Sequence, residues 1–179
     1  MTPDAVHRFW FEETPPKAWW TVDAEFDRTL AARFGELLRR AAAGELFAWR
    51  SDARGRLAEI VVLDQFSRNV HRDTALAFAQ DAMALVLAQE AVAAGALAQL
   101  PPIQRAFLLL PYMHSESRLV HAQAEALYRE HAPPENFDFE LRHKAIIDRF
   151  GRYPHRNAIL GRASTPEEIE FLRTPGSSF

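Results

Sequence analysis

Hydrophobic residues recur along most of the chain at the spacing of amphipathic α-helices. Between about 22 and 43, apolar side chains return every three or four residues and Gly44 follows, which predicts a helix with one buried face and a glycine stop. The same spacing predicts a helix that begins near residue 51, and helices over about 73–94, 103–110, 118–131 and 137–150. Alternation with a period of two residues is absent, so the pattern predicts no strand.

Local signals place the ends of these helices. Thr2-Pro3-Asp4 and Thr165-Pro166-Glu167-Glu168 are typical helix starts, the second being a capping box. Ser51 is the expected cap of the third helix. Pro111 is expected to end or kink the fifth helix, and residues 132–136 are expected to form a loop.

The fold predicted from these elements is all-α. Seven to eight helices, joined by short connections, are expected to pack as antiparallel hairpins. We expect a single domain over residues 1–173 and a flexible C-terminal tail over residues 174–179.

Residues 60–73 carry the most informative stretch, because an apolar helix runs directly into a polar cluster. Asp64 and Arg68 continue the helical stripe of Leu57, Ile60 and Val61, so both charged side chains are expected to point inward. A buried charge has to be paired or reached by water. The stretch is therefore either a buried hydrogen-bond junction or a binding site.

A second stretch repeats this pattern. Residues 146–157 also run from an apolar helical segment through Asp and Phe into Arg-Asn. Two similar helix–loop junctions are expected from this echo, as in a degenerate repeat of helical hairpins.

Composition and charge narrow the classes of function. The net charge of −3 and the pI of about 6.2 give no general attraction to nucleic acid or anionic lipid. The absence of Cys excludes disulfides and thiolate metal sites. No secretory signal is visible at the N-terminus, and the aromatic residues between 9 and 20 are predicted to pack in the core. We therefore predict a cytoplasmic protein with no nucleic-acid or membrane partner.

Four motifs resemble a bacterial family known as domain of unknown function nine-two-four. They are the Phe9-Trp10-Phe11 and Trp19-Trp20 segment, Asp64-Gln65-Phe66-Ser67-Arg68-Asn69, residues 110–116 (LPYMHSE), and residues 149–162 followed by Ser164-Thr165-Pro166-Glu167-Glu168. Ser67 departs from the Pro expected at that position. The resemblance implies an all-helical fold of the tetratricopeptide-repeat-like (TPR-like) superfamily, and it implies no reaction or cofactor.

The leading functional hypothesis is a binding cleft at the polar junctions. Residues 142–162 contain six Lys or Arg and one acid, and Arg forks suit carboxylates and phosphates. We predict that a small anionic molecule or an acidic peptide segment binds there. The predicted ligand-binding residues are Arg68, Asn69, His71, Arg149, Arg152, His155, Arg156 and Asn157.

Two other hypotheses stay open. A hydrolase or lyase could use His114, Glu116 and Asp64 as acid–base candidates, with or without metal; the spacing of His and carboxylates predicts no metal site. In the third hypothesis the polar junctions are purely structural and outer grooves bind a partner chain. The sequence specifies no cofactor and no oligomeric state.

Overall fold

The computed structural model describes residues 1–178, and this part of the chain is helical without any strand. The predicted all-α fold is confirmed. The α-helices are α1 (Pro3–His7), α2 (Ala24–Ala42), α3 (Ala53–Val61), α4 (Ser67–Val70), α5 (Asp81–Ala93), α6 (Pro102–Met113), α7 (Arg118–His131), α8 (Pro134–Phe150) and α9 (Pro166–Phe171). Because a π-helical segment, Val62–Phe66, joins α3 to α4, the described residues form eight rods.

The rod of α3, the π-helical segment and α4 is the centre of the fold. Every residue from 57 to 67 is buried, so this rod is enclosed on all sides rather than along one stripe. It packs against α1, α2, α5 and α6. A helix surrounded in this way is expected to be apolar all round, and its few charged residues therefore need partners.

An aromatic cluster covers the central rod near the N-terminus of the chain. Phe9 and Trp10 are buried, and their rings lie 6.0 and 5.5 Å from the ring of Phe66. Core packing is thus the role of these two residues. Trp20, by contrast, is 59% exposed, so the prediction that all the aromatics of this segment pack in the core was wrong for Trp20.

Helices α6, α7 and α8 pack side by side. Tyr128, near the end of α7, donates a hydrogen bond to the carbonyl of Ala106 at the start of α6. Arg118, at the start of α7, bonds the carbonyls of Ile147 and Asp148 at the end of α8. The neighbours are therefore antiparallel, as expected for helical hairpins. This arrangement is compatible with a TPR-like fold, which stays a prediction.

Three predicted boundaries differ from the structure. Asp52, and not Ser51, caps α3, because its carboxylate accepts from the amide of Gly55. Helix α6 continues past Pro111 to Met113; the amide of His114 still bonds the carbonyl of Leu110, so the last turn survives. Helix α8 begins inside the predicted loop, at Pro134, because proline suits the first helical turn.

The C-terminal residues fold back toward α9. The hydroxyl of Thr174 bonds the carbonyl of Phe171, and the hydroxyl of Ser177 bonds that of Leu172. Flexibility of residues 174–179 stays a prediction, and Phe179 lies outside the described residues.

One helical stretch, Ala75–Ala93, is long and apolar enough by length and composition to cross a membrane. It contains Asp81, whose carboxylate is paired with two arginines inside the fold. The core helix of a protein without any membrane segment can meet the same criterion. Cytoplasmic location and the absence of a membrane partner stay predictions.

The entry into α3 gives a stability test. A Cβ at Gly55 would lie 1.8 Å from the carbonyl oxygen of Trp49, so Gly55→Ala should lower the free energy of unfolding by about 3 kcal/mol. Gly35 lies inside α2 with no atom within 4 Å of an added Cβ. Gly35→Ala should therefore raise stability by about 0.5–1 kcal/mol. Urea unfolding measures the free energy of unfolding of both variants. An equal change in this free energy for the two variants would contradict the close approach at Gly55.

Candidate functional site

A cavity of about 820 Å³ opens where the polar junctions meet the aromatic N-terminal segment; we call it the main cavity. Its lining combines guanidinium and imidazole groups with aromatic and aliphatic side chains. The polar side chains include Arg68, Arg72, Arg142, Arg156, His114, His143 and His155, and the apolar ones include Trp19, Trp20, Val22, Phe78, Leu110, Met113 and Phe139. Asp73 is the single carboxylate among these described lining residues.

The two echoed junctions meet at one carboxylate. Arg68, on α4, donates two hydrogen bonds to Asp81, at 2.9 and 3.2 Å. Arg156, from the second junction, donates to the same carboxylate at 3.2 Å. The two arginines that the sequence placed at corresponding positions are therefore neighbours, held by the first residue of α5.

Arg156 keeps one side of its guanidinium unused. Its group lies 4.7 Å from the ring centre of Phe78 and 4.6 Å from that of Tyr153. Only Nη1 binds a carboxylate; neither Nε, which is buried, nor Nη2 has a hydrogen-bond partner among the described residues. Burial lowers the pKa of Arg156, and the nearby Arg68 lowers it further. A bound anion would offset both effects.

Asp64 and His114 form a hydrogen-bonded pair at the cavity. The Nδ1 atom of His114 lies 2.7 Å from Oδ1 of Asp64, and Gln65 donates to Oδ2 at 2.6 Å. Asp64 is 1% exposed, whereas His114 reaches the cavity. The π-helical segment supplies Asp64 and Gln65, in keeping with the frequent location of such segments at functional sites.

The charges fix the tautomer of this histidine. Burial alone would raise the pKa of Asp64, but His114, Arg68 and the hydrogen bonds outweigh it and hold the pKa well below the usual range. Burial lowers the pKa of His114, and Asp64 offsets only part of this shift. A carboxylate facing Nδ1 requires the proton there. Nε2 is then an unprotonated nitrogen with no hydrogen-bond partner among the described residues.

The other two cavity histidines are neutral at ordinary pH. Burial lowers the pKa of His143 to about 3. Burial also lowers the pKa of His155 to about 4, helped by the positive charge of Arg156 and then of Arg68. These two imidazoles therefore add no positive charge to the cavity wall.

A smaller cavity of about 430 Å³ adjoins the main cavity. It shares Phe78, His114 and Arg156 with the main cavity and is also lined by Asp81 and Glu116. Those three shared side chains thus separate two open spaces.

Two predicted binding residues of the first junction lie elsewhere. The amide of Asn69 bonds Asp27 of α2 at 2.7 Å, and Arg72 makes a two-pronged pair with the same carboxylate. These bonds attach the end of α4 to α2. His71 caps the C-terminal end of α4 and is not among the cavity-lining residues.

Three predicted residues of the second junction form a carboxylate network outside the cavity. Arg149 pairs with Glu167 at the surface. Arg152 makes a two-pronged pair with the buried Glu168, and Asn157 donates to Glu168 and Ser164. This network attaches α9 to the loop after α8. The structure brings Arg68, His155 and Arg156 together and leaves Arg149, Arg152 and Asn157 apart.

Glu116 is likewise occupied by other groups. Arg162 donates to both of its oxygens, at 2.6 and 2.9 Å, and the amide of Tyr153 donates at 2.7 Å. These donors, after the opposing effect of burial, lower the pKa of Glu116. Of the three acid–base candidates, only Asp64 and His114 interact directly.

A second His–carboxylate pair is fully enclosed. His121 and Glu140 are both 0% exposed and lie 2.7 Å apart. His121 Nε2 donates to the carbonyl of Ser115, and burial raises the pKa of Glu140. With no opening to solvent, this pair joins α7 to α8. Within residues 1–178, no group of three or more His and carboxylate side chains could hold a metal ion.

Sequence reasoning missed several cavity residues. Asp81 lies in an apolar helix with no motif around it, so nothing in the sequence marked it as the partner of two arginines. Trp19 and Trp20 did carry a signal, because adjacent tryptophans after Pro15-Pro16 interrupt helical spacing. Phe139 and His143 are one turn apart on α8, which placed them on one face without indicating a cavity.

A family model and a solved structure match this chain. The family model described as "Bacterial protein of unknown function (DUF924)" matches residues 6–176. A solved structure, a protein of unknown function, ATU0120, from Agrobacterium tumefaciens, is 35% identical and superposes with a TM-score of 0.91 over 96% of each chain. No curated protein matches.

The Arg152–Glu168 pair predicts a pH dependence of stability. Hydrogen bonds from Arg152 lower the pKa of Glu168 to about 2. The stabilisation is therefore complete above the unfolded-state pKa of about 4.3 and is lost as the pH falls toward 2. Glu168→Gln should cost about 2 kcal/mol at pH 7 and flatten the loss of stability between pH 4.5 and 2. Denaturant melts across this range test it.

Glu167→Gln is the matched control, because Glu167 is adjacent and pairs with Arg149 in solvent. Its effect should stay below about 0.5 kcal/mol. An equal loss of stability in both variants would show that burial of Glu168 does not strengthen its ion pair with Arg152.

Proposed function

Because the chain belongs to the bacterial DUF924 family of unknown function, we propose a function from the chemistry of the main cavity. The protein binds a small anionic ligand there. Arg68, His155 and Arg156, predicted from the sequence as binding residues, are the contacts, and His114 adjoins them. A cavity of about 820 Å³ is the size of a small-molecule site, which favours a small molecule over an acidic peptide segment.

The unused edge of Arg156 is the observation that carries this proposal. The Nε and Nη2 atoms of a guanidinium present two parallel donors to a carboxylate or phosphate. In Arg156 both atoms lack a hydrogen-bond partner among the described residues, and the side chain is only 8% exposed. A buried cation with unsatisfied donors is costly. An anionic ligand would satisfy them.

The surrounding charges favour an anion as well. The charges of Arg68 and Arg156 are balanced by Asp64 and Asp81, so the excess positive charge comes from another lining residue, Arg142. Arg142 lines the cavity and forms no ion pair with any described residue.

Phosphate titration tests the site. We expect inorganic phosphate to bind the wild-type protein, and Arg156→Gln to weaken its affinity about 10- to 100-fold, the effect of a charge-assisted hydrogen bond. Isothermal titration calorimetry measures both. Arg39→Gln is the control, since Arg39 pairs with Glu36 on the exposed side of α2. Equal affinity in wild type and Arg156→Gln would contradict the proposal.

Asp73→Asn tests the same site without disturbing the core. Asp73 is exposed and has a positive φ of 61°, a conformation that Asn also tolerates. Removing the carboxylate from the cavity wall should raise phosphate affinity about two- to fivefold at low salt. No change, or weaker binding, would show that phosphate binds elsewhere.

Proton transfer by His114 is a second candidate function, favoured by the Asp64–His114 pair. A carboxylate that orients Nδ1–H leaves Nε2 as a base beside the cavity. In a hydrolase or lyase, Nε2 would take a proton from a water molecule or from the substrate. Glu116 has no part in this candidate mechanism, because Arg162 occupies it.

The tautomer of His114 can be measured without a substrate. Nitrogen-15 NMR at pH 7.5 should show His114 protonated at Nδ1 only, with a pKa below the ordinary 6.5. Asp64→Asn should lower that pKa further, because it removes the charge that favours the imidazolium. A proton on Nε2 in the wild-type protein would rule out His114 as the base.

A further inference from the structure

We propose that the ligand is an amphiphilic anion, with a carboxylate or phosphate head and an apolar body about 10 Å long. This inference rests on the proposed anion site and specifies what else the ligand carries. Its basis is the separation, along helix α6, between the tryptophans at Phe107 and the polar group around His114.

Helix α6 sets the length of the apolar part. Phe107 lies 4.9 Å from the ring of Trp19 and 5.7 Å from that of Trp20, measured between ring centres. His114 follows seven residues later, two turns along the same face, which is about 10 Å at 1.5 Å per residue. Leu110 lies between them and also lines the cavity. The tryptophans and the imidazole thus mark opposite ends of one wall.

Three of the apolar side chains that line the main cavity are exposed. Trp20, Val22 and Phe139 are 59%, 73% and 48% exposed, and all three line the cavity. They belong to the eleven large apolar side chains exposed in the described residues. Apolar side chains grouped at the mouth of a cavity, unlike scattered ones, are characteristic of a ligand site. An apolar ligand body would remove them from water.

The arginines and His114 are expected to bind the anionic head of the ligand. Arg68 and Arg156 line the cavity with His114, and the guanidinium of Arg156 lies against the rings of Phe78 and Tyr153. Asp73 is the single acid among the described residues that line the main cavity. An anion bound at the arginines can extend an apolar body along Leu110 toward Trp20, because all of these side chains line the same cavity.

Calorimetric titration of the full chain with a graded set of ligands tests the inference. The set is inorganic phosphate, acetate, octanoate, phenylbutyrate and uncharged octanol. Each buried methylene should strengthen binding about fourfold. At least one of octanoate and phenylbutyrate should bind 100-fold or more tighter than acetate, and tenfold or more tighter than octanol. Quenching or a shift of tryptophan emission should accompany binding, because Trp19 and Trp20 line the cavity.

Two variants locate the two ends of the ligand. Trp20→Ala should weaken octanoate binding about tenfold and leave phosphate binding unchanged. Phe47→Ala is its control, since Phe47 is 69% exposed and outside the cavity, and it should change neither. Arg156→Gln should weaken both ligands.

The outcomes separate this inference from the proposed function. If phosphate binds but octanoate and phenylbutyrate bind no more tightly than acetate, the inference of an amphiphilic ligand is wrong and the anion site is retained. Octanol binding as tightly as octanoate would overturn the anionic head. Failure of every anion to bind would overturn the proposed function itself, and the inference with it.

Discussion

One carboxylate holds together the two halves of the polar region. Asp81 pairs with Arg68 from the central rod and with Arg156 from the loop after α8, so segments far apart in sequence meet at the start of α5. A buried guanidinium without a partner is costly. The requirement to pair these arginines therefore positions the loop, and with it the wall of the main cavity.

The π-helical segment of the central rod is the second determinant of the site. A rod enclosed on every side has no solvent-facing stripe on which to place a charge. Asp64 is nevertheless buried there, and it is satisfied by His114 and Gln65. Asp64 and Gln65 are adjacent, and both are buried in this segment. The imidazole it holds is then presented to the cavity with a defined tautomer.

Similar sequence produced two different uses of charge. The paired junctions end in Arg-Asn, and the arginines Arg68 and Arg156 meet at the cavity. Their neighbours Asn69 and Asn157 instead bond Asp27 and Glu168 and attach helices to one another. In each motif, the residue that lines the cavity and the residue that attaches the helices are therefore adjacent in sequence. For this reason the sequence alone predicted the same role for both.

Helical spacing, capping residues and glycine stops were enough to predict the all-α fold, the antiparallel order of helices and the capping box at Thr165. Helical spacing also predicted the inward position of Asp64. These features depend on local periodicity and on the cost of burying charge. The family resemblance was also legible from four motifs. Only the tertiary structure decided which carboxylate each arginine meets, because pairing depends on distances between segments that no spacing encodes. In the tertiary structure, Asp81 pairs with two arginines. Arg149, Arg152 and Glu116 form ion pairs with other residues, and Trp20 lines a cavity instead of packing in the core.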